Sequence, residues 1–207
     1  MIQPRPVWDF SDPAASEQRF ADEAAHDEAA HDEAADEAGV RIVLERGRLL
    51  RSAGDPEGSR PLFERAIAMA GEAGFEELEL DARHMQALVA PPDQSDRLHR
   101  EAIVRAGVAT DPAARNWDAS LLNNLGMNLA DRGDFDHALP VFEQALAARR
   151  RIGDPEAIRV ARWMVAWTLR NLGRRDEALE IQRELKEQLD AEGGDDRYVD
   201  EELALLT

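Results

Sequence analysis

Apolar residues recur three and four positions apart in the middle of the chain. The sequence reads Leu122-x₂-Leu125-Gly126-x₂-Leu129 and continues, after Gly133, as Ala138-x₃-Phe142 with Ala145. This spacing places the apolar side chains on one face of an α-helix. Because glycine readily ends a helix and turns the chain, the segment predicts two antiparallel helices packed along an apolar seam.

The same spacing occurs at two other places. It is found 79 residues earlier, at Val43, Gly47, Leu50, Gly54, Ser59, Phe63 and Ala66, and 40 residues later, at Val165, Ala166, Leu169, Gly173 and Ala178. Small residues therefore recur where paired helices approach closely. Asp-Pro steps at 55–56, 111–112 and 154–155 predict aspartate caps with proline in the first turn. Between the first two matches the pattern is weaker, and Pro91-Pro92 interrupts it.

This arrangement resembles the tetratricopeptide repeat, and in particular the longer repeats of kinesin light chain and of bacterial adaptor proteins. The resemblance covers roughly residues 40–192 and is strongest in 117–185. It implies an all-α, tetratricopeptide-type solenoid, a right-handed superhelix of about four helix-pair repeats. Proteins of this kind generally bind peptides or partner domains and are not enzymes.

We expect three parts in the chain. Residues 1–39 form an acidic N-terminal extension that contains a tandem of Ala-His-Asp-Glu, and residues 40–192 form the repeat solenoid. Residues 193–207 supply an acidic linker and a C-terminal capping helix, since Tyr198 to Leu206 has the pattern of an amphipathic helix.

The helical phase also predicts a ligand-binding groove. Because Leu122, Leu125 and Leu129 face the paired helix, their neighbours are expected on the concave side. The groove residues predicted in this way are Arg41, Arg48 and Arg51 in the first repeat, Asn123 and Met127 in the best-matched repeat, and Trp163, Trp167 and Arg170 in the last. Arginine and tryptophan are common at binding hot spots, so the expected partner is a protein or peptide of acidic character. Two alternatives stay open: the C-terminal helix covers the tryptophans, and nearby glutamates pair with the arginines.

Charge and composition exclude several classes of function. The net charge is −18, but residues 17–37 contribute −8 and residues 187–202 contribute −7, whereas residues 149–175 carry +6. Overall acidity argues against nucleic acid as the partner. The chain has no cysteine, and no apolar run near its N-terminus is long enough for a signal peptide or a membrane span. We therefore expect a soluble cytoplasmic protein with no membrane partner.

Candidate chemistry is confined to the N-terminal tandem. Glu23-x₂-His26 and Glu28-x₂-His31 match the Glu-x-x-His unit of di-iron bundles. However, two ligands on one helix converge when they lie four positions apart, and these histidines lie five apart. We expect solvated charge here, with no metal, no cofactor and no catalytic residue. The alternatives are a metal-binding protein or enzyme that uses this tandem, and a homo-oligomeric assembly module.

Overall fold

The computed structural model describes residues 36–207, and every regular element within that range is an α-helix. The helices belong to two compact units that divide between Pro91 and Pro92. In the first unit, α1 spans Glu37–Ser52, α2 Pro56–Ala73 and α3 Glu76–Val89. In the second, α4 spans Pro92–Val108, α5 Pro112–Arg115, α6 Trp117–Asp131, α7 Phe135–Ile152, α8 Pro155–Asn171, α9 Arg175–Glu192 and α10 Arg197–Leu206. The Glu-x-x-His tandem, residues 23–31, lies outside the described residues.

The helices begin where the Asp-Pro steps predict. Asp55 accepts a hydrogen bond from the backbone N–H of Gly58 at 2.8 Å, and Asp111 accepts one from Ala113 at 2.8 Å. Asp154 accepts one from Glu156 at 3.0 Å. Each aspartate thereby satisfies a donor that has no partner inside the helix.

The first unit is built on a close contact between α1 and α2. Gly47 lies against the ring of Phe63, and a Cβ atom at Gly47 would be only 2.5 Å from Phe63 Cε1. Around this contact Val40, Leu44 and Leu78 are buried, and α2 packs on both α1 and α3. The small residues that the sequence singles out are thus required by the distance between the helices.

The second unit repeats this contact between α6 and α7. A Cβ atom at Gly126 would lie 2.6 Å from Phe142 Cε1. In this unit α4 packs on α6, α7 on α8, and α8 on α9, so each helix joins two neighbours. α10, in the segment for which the sequence predicts a capping helix, packs on α9 and α8.

Candidate ligand-binding groove

A cavity of about 310 Å³ opens between α6, α7 and α8 of the second unit. Its lining residues are Ala119, Asn123, Ala145, Arg149, Asp154, Glu156, Ala157, Val160 and Ala161. Four of these are alanines, and Val160 is 56% exposed. The cavity is therefore a recess with small apolar walls and a few polar groups, which is the composition typical of a binding site.

Short side chains on α6 produce the recess. The residues 79 positions before Ala119 and Asn123 are Val40 and Leu44, and both are buried in the core of the first unit. The residue 40 positions after Asn123 is Trp163. Larger side chains stand at the corresponding positions of the first unit, so the short residues Ala119 and Asn123 contribute to the space of the cavity.

Arg149 gives the cavity an available cation. Its Nη2 donates to the hydroxyl of Ser120 at 3.1 Å, and no carboxylate partner is found for it within residues 36–207. Asp154 and Glu156 line the opposite wall, at the N-terminus of α8. The partial positive charge of that helix end offsets part of their negative charge. Asn123 and Arg149 are thus the side-chain donors, and they belong to α6 and α7.

A row of aromatic rings continues beyond the cavity. Trp163 follows Val160 by about one turn of α8, and it stacks on Trp167 with ring centroids 6.3 Å apart. Trp167 contacts Phe135 edge to face at 5.4 Å, and Trp163 contacts Tyr198 of α10 at 6.2 Å. Met127 lies one turn after Asn123 on α6 and packs partly buried against the core of the second unit.

The helix α10 contacts two of the predicted groove residues. Trp163 Nε1 donates to the backbone oxygen of Tyr198 at 3.2 Å. Arg170 donates to both carboxylate oxygens of Glu202, at 2.7 and 2.8 Å, and these hydrogen bonds raise the pKa of the Arg170 guanidinium above its ordinary value. The structure therefore places Trp163 and Arg170 against α10, as in the alternative in which the C-terminal helix covers this face.

The arginines of the first unit also have local partners. Arg41 pairs with Glu37 at 2.7 Å. Arg48 pairs with Glu45 and, at 2.5 Å, with Asp81 of α3. Burial raises the pKa of Asp81, and the Arg48 guanidinium only partly offsets this effect. The third predicted arginine, Arg51, is exposed near the end of α1.

Comparison with known proteins identifies the repeats. Residues 117–191 match the family model described as tetratricopeptide repeat. This stretch of the chain is similar to tetratricopeptide repeats. No curated protein is similar enough in sequence to count as a match.

Solved structures with this fold cover most of the chain. BtubC (BKLC) from P. vanneervenii superposes with a TM-score of 0.73 at 18% identity, over 89% of this chain and 76% of that one. A variant of a kinesin-light-chain-type protein from Podosopora anserina, with nearly identical TPR-like repeats, gives 0.67 at 14% identity over 89% and 90%. A STAND ATPase with a tetratricopeptide repeat sensor from Pyrococcus horikoshii gives 0.66 at 8% identity, over 84% of this chain but 26% of that one. These similarities confirm the predicted tetratricopeptide fold.

Of the cavity residues, the sequence predicts Asn123 but not Arg149 or Val160. The apolar seam of each first helix defines the predicted face, and neither Arg149 on α7 nor Val160 near the start of α8 is among the residues that it selects. The basic stretch 149–175 contains both residues and was the available signal. Among residues 36–207, no group of three metal-ligating side chains is present. The helices of the same range include none that is long and apolar enough to cross a membrane.

Proposed function

We propose that this tetratricopeptide repeat protein is a scaffold or adaptor that binds a peptide or a partner domain in the cavity between α6, α7 and α8. The observation that carries the proposal is the recess itself. The corresponding positions of the first unit hold the larger, buried residues Val40 and Leu44, whereas the short residues at 119 and 123 line the recess. A recess of about 310 Å³ accommodates one or two side chains of a bound segment.

The bound segment is acidic in this proposal. Arg149 is hydrogen-bonded to a hydroxyl and keeps its charge available to a carboxylate. Asn123 lies on the same cavity and offers both a donor and an acceptor to a peptide main chain. The net charge of −18 makes nucleic acid an unfavourable partner. The absence of cysteine is consistent with work in the cytoplasm.

The proposal is tested by filling the cavity. Peptides selected from a random library for binding to the full chain provide the probes. The double variant Ala119→Val, Asn123→Leu introduces the residues of the first unit and should weaken these peptides by about tenfold or more. Its thermal midpoint should stay equal or rise, because filling a cavity commonly stabilises. The control is Ala147→Val, which makes the same alanine change at an exposed position of α7. Equal binding to the filled variant and the wild type would exclude the cavity as the site.

A second pair of variants tests the acidic character. Arg149→Ala should weaken acidic peptides by roughly tenfold, because a hydrogen bond to a charged group is lost. Arg150→Ala removes the same charge from the next, exposed residue and should leave binding unchanged. If the selected peptides carry no excess of Asp and Glu, or bind both variants equally, the acidic ligand is wrong even if the cavity is the site.

A further inference from the structure

The C-terminal helix α10 lies in a seat formed by α8 and α9. Val199 of α10 is buried against Leu185 and Leu189 of α9. Leu203 packs on the same cluster, and Leu206 reaches the main core of the second unit. The buried aliphatic residues of α10 thus lie at spacings of three and four, along one face of the helix.

Polar groups of the seat recognise one carboxylate and two main-chain carbonyls. Arg170 binds Glu202 through two hydrogen bonds, and the Glu202 side chain is only 6% exposed. Trp163 donates to the carbonyl of Tyr198. Arg175 donates to the carbonyl of Leu205 at 2.8 Å, near the end of the helix, where carbonyls have no partner within the helix. Apart from Glu202, these contacts would be available to any amphipathic helix.

Basic side chains of the seat face acidic residues of α10 and its linker. Lys186 of α9 lies 3.3 Å from Asp200 and 3.7 Å from Asp195, and it also lies 3.2 Å from Asp190 of α9 itself. Together with Arg170 and Arg175, it presents three cations to an acidic helix and its acidic linker. The seat therefore favours an acidic amphipathic helix over a neutral or basic one.

The contacts with the seat hold α10 in place as a helix. The helix has ten residues, too few for a stable isolated helix in water. It is joined to α9 by residues 193–196, which begin with Gly193 and Gly194. Tyr198 and Leu205 on α10 are each 56% exposed, so the seat does not enclose the helix. A short helix on a glycine-containing linker can leave its seat without unfolding α8 and α9.

We propose that the seat on α8 and α9 is a second binding site, where an acidic amphipathic helix of a partner protein exchanges with α10. The partner helix carries aliphatic residues at the positions of Val199, Leu203 and Leu206 and a glutamate at the position of Glu202. This site is separate from the cavity and goes beyond the proposed peptide binding there.

The experiment uses the full chain and a fluorescent synthetic peptide with the sequence of residues 195–207. In the wild type, α10 competes with the peptide at a high effective concentration. Glu202→Ala weakens α10 and leaves the seat intact, so it should bind the peptide about tenfold or more tightly than the wild type, because a larger fraction of seats is open. Glu201→Ala, the matched change at the exposed neighbour, should bind like the wild type. Adding Arg170→Ala to Glu202→Ala should abolish the gain.

Three results would overturn the proposal. One is that Glu202→Ala binds the peptide no better than Glu201→Ala. Another is that the gain in peptide affinity survives in the double variant with Arg170→Ala. The third is that Glu202→Ala forms a dimer by light scattering and gains no peptide binding, which would make a second copy the occupant. If circular dichroism shows that Glu202→Ala is unfolded, Leu206→Ala weakens the other end of α10 and gives the same comparison.

Discussion

Two neighbouring helix pairs of the second unit, α6–α7 (the third pair) and α8–α9 (the fourth pair), share one spacing but are packed by different contacts. In the pair α6 and α7, Gly126 lies against the ring of Phe142. The residues 40 positions later, in α8 and α9, are Ala166 and Gln182, and both are fully buried. The methyl group of Ala166 stands where a Cβ at Gly126 would touch the ring, so the fourth pair has lost both halves of the glycine–aromatic contact.

The fourth pair is less well satisfied internally. Both amide atoms of Gln182 are buried, and neither has a hydrogen-bond partner in the part of the chain that the structure describes. An unsatisfied buried polar group costs about 1–3 kcal/mol. In compensation, Leu185 and Leu189 stand where α7 has Ala145 and Arg149, and they pack on Val199 of α10. The third pair is stabilised by the glycine–aromatic contact within the pair, whereas the fourth lacks this contact and packs two leucines on the helix that follows it.

The contact within the third pair is broken by Gly126→Leu. The new side chain would push against the ring of Phe142, and overpacking of this kind costs about 3 kcal/mol. Chemical denaturation should show this loss as a lower midpoint. Gly107→Leu is the control, since no atom beyond its chain neighbours and its own helix backbone lies within 4 Å of a Cβ at that exposed position. Equal midpoints for the two variants would show that α6 and α7 are not in close contact at Gly126.

The close-packed positions could be predicted from the sequence, because each requires a small residue at a fixed spacing. Gly47, Gly126 and Ala166 were identified in this way, and so was the weak match around Pro91-Pro92, where the structure divides into two units. That residues 40–192 form a single solenoid remains a prediction. The cavity could not be predicted, because it depends on the space that the short side chains of Ala119 and Asn123 leave between the helices.

Contacts between distant segments also could not be predicted from the sequence. The acidic C-terminus and the basic stretch 149–175 are both evident in the sequence, but their pairing is not. In the structure Glu202 binds Arg170 and Glu192 binds Arg159 at 3.1 Å. Charge alone does not fix which residues meet, since the register of α10 on α8 is set by Val199 and Leu206 in the apolar clusters.

The glycine–aromatic contact of the third pair can be rebuilt in the fourth pair by substitution. Gln182→Phe alone should lower stability by about 1–3 kcal/mol, because the ring meets the methyl group of Ala166. Adding Ala166→Gly recreates the geometry of Gly126 and Phe142 and should recover most of that loss. Unfolding free energies of the two single variants, the double variant and the wild type form a double-mutant cycle. An interaction energy near zero would mean that residues 166 and 182 do not touch in the way that 126 and 142 do.

The buried amide of Gln182 provides another test of the fourth pair. Gln182→Met keeps the length of the side chain and removes both polar atoms, so it should stabilise the protein by about 1 kcal/mol. Gln188→Met is the control on the same helix, because the Gln188 amide donates to Glu192 at 3.2 Å in an exposed position. A loss of stability in Gln182→Met that exceeds the loss in Gln188→Met would show that the buried amide is satisfied after all.

The last comparison concerns the buried His99 on α4, where we expect the smallest change in stability. Ser95 and His99 have the spacing of Ala138 and Phe142, and His99 is fully buried. Its Nδ1 donates to the carbonyl oxygen of Ser95 at 2.8 Å, while Nε2 is buried without a partner among residues 36–207. Burial lowers the pKa of His99 below its ordinary 6.5, against the opposing effects of the Ser95 carbonyl and the charge of Asp96.

The sign of the pH dependence follows from this shift. Below pH 6.5 the unfolded chain takes up a proton that the folded chain resists, so stability is fully present above that pH and falls as the pH decreases toward the lowered pKa. His99→Leu removes this contribution. Between about pH 8 and about pH 5.5, urea midpoints should therefore fall less steeply for the variant than for the wild type. Parallel curves would mean that the imidazole of His99 gains its proton as readily in the folded protein as in the unfolded chain.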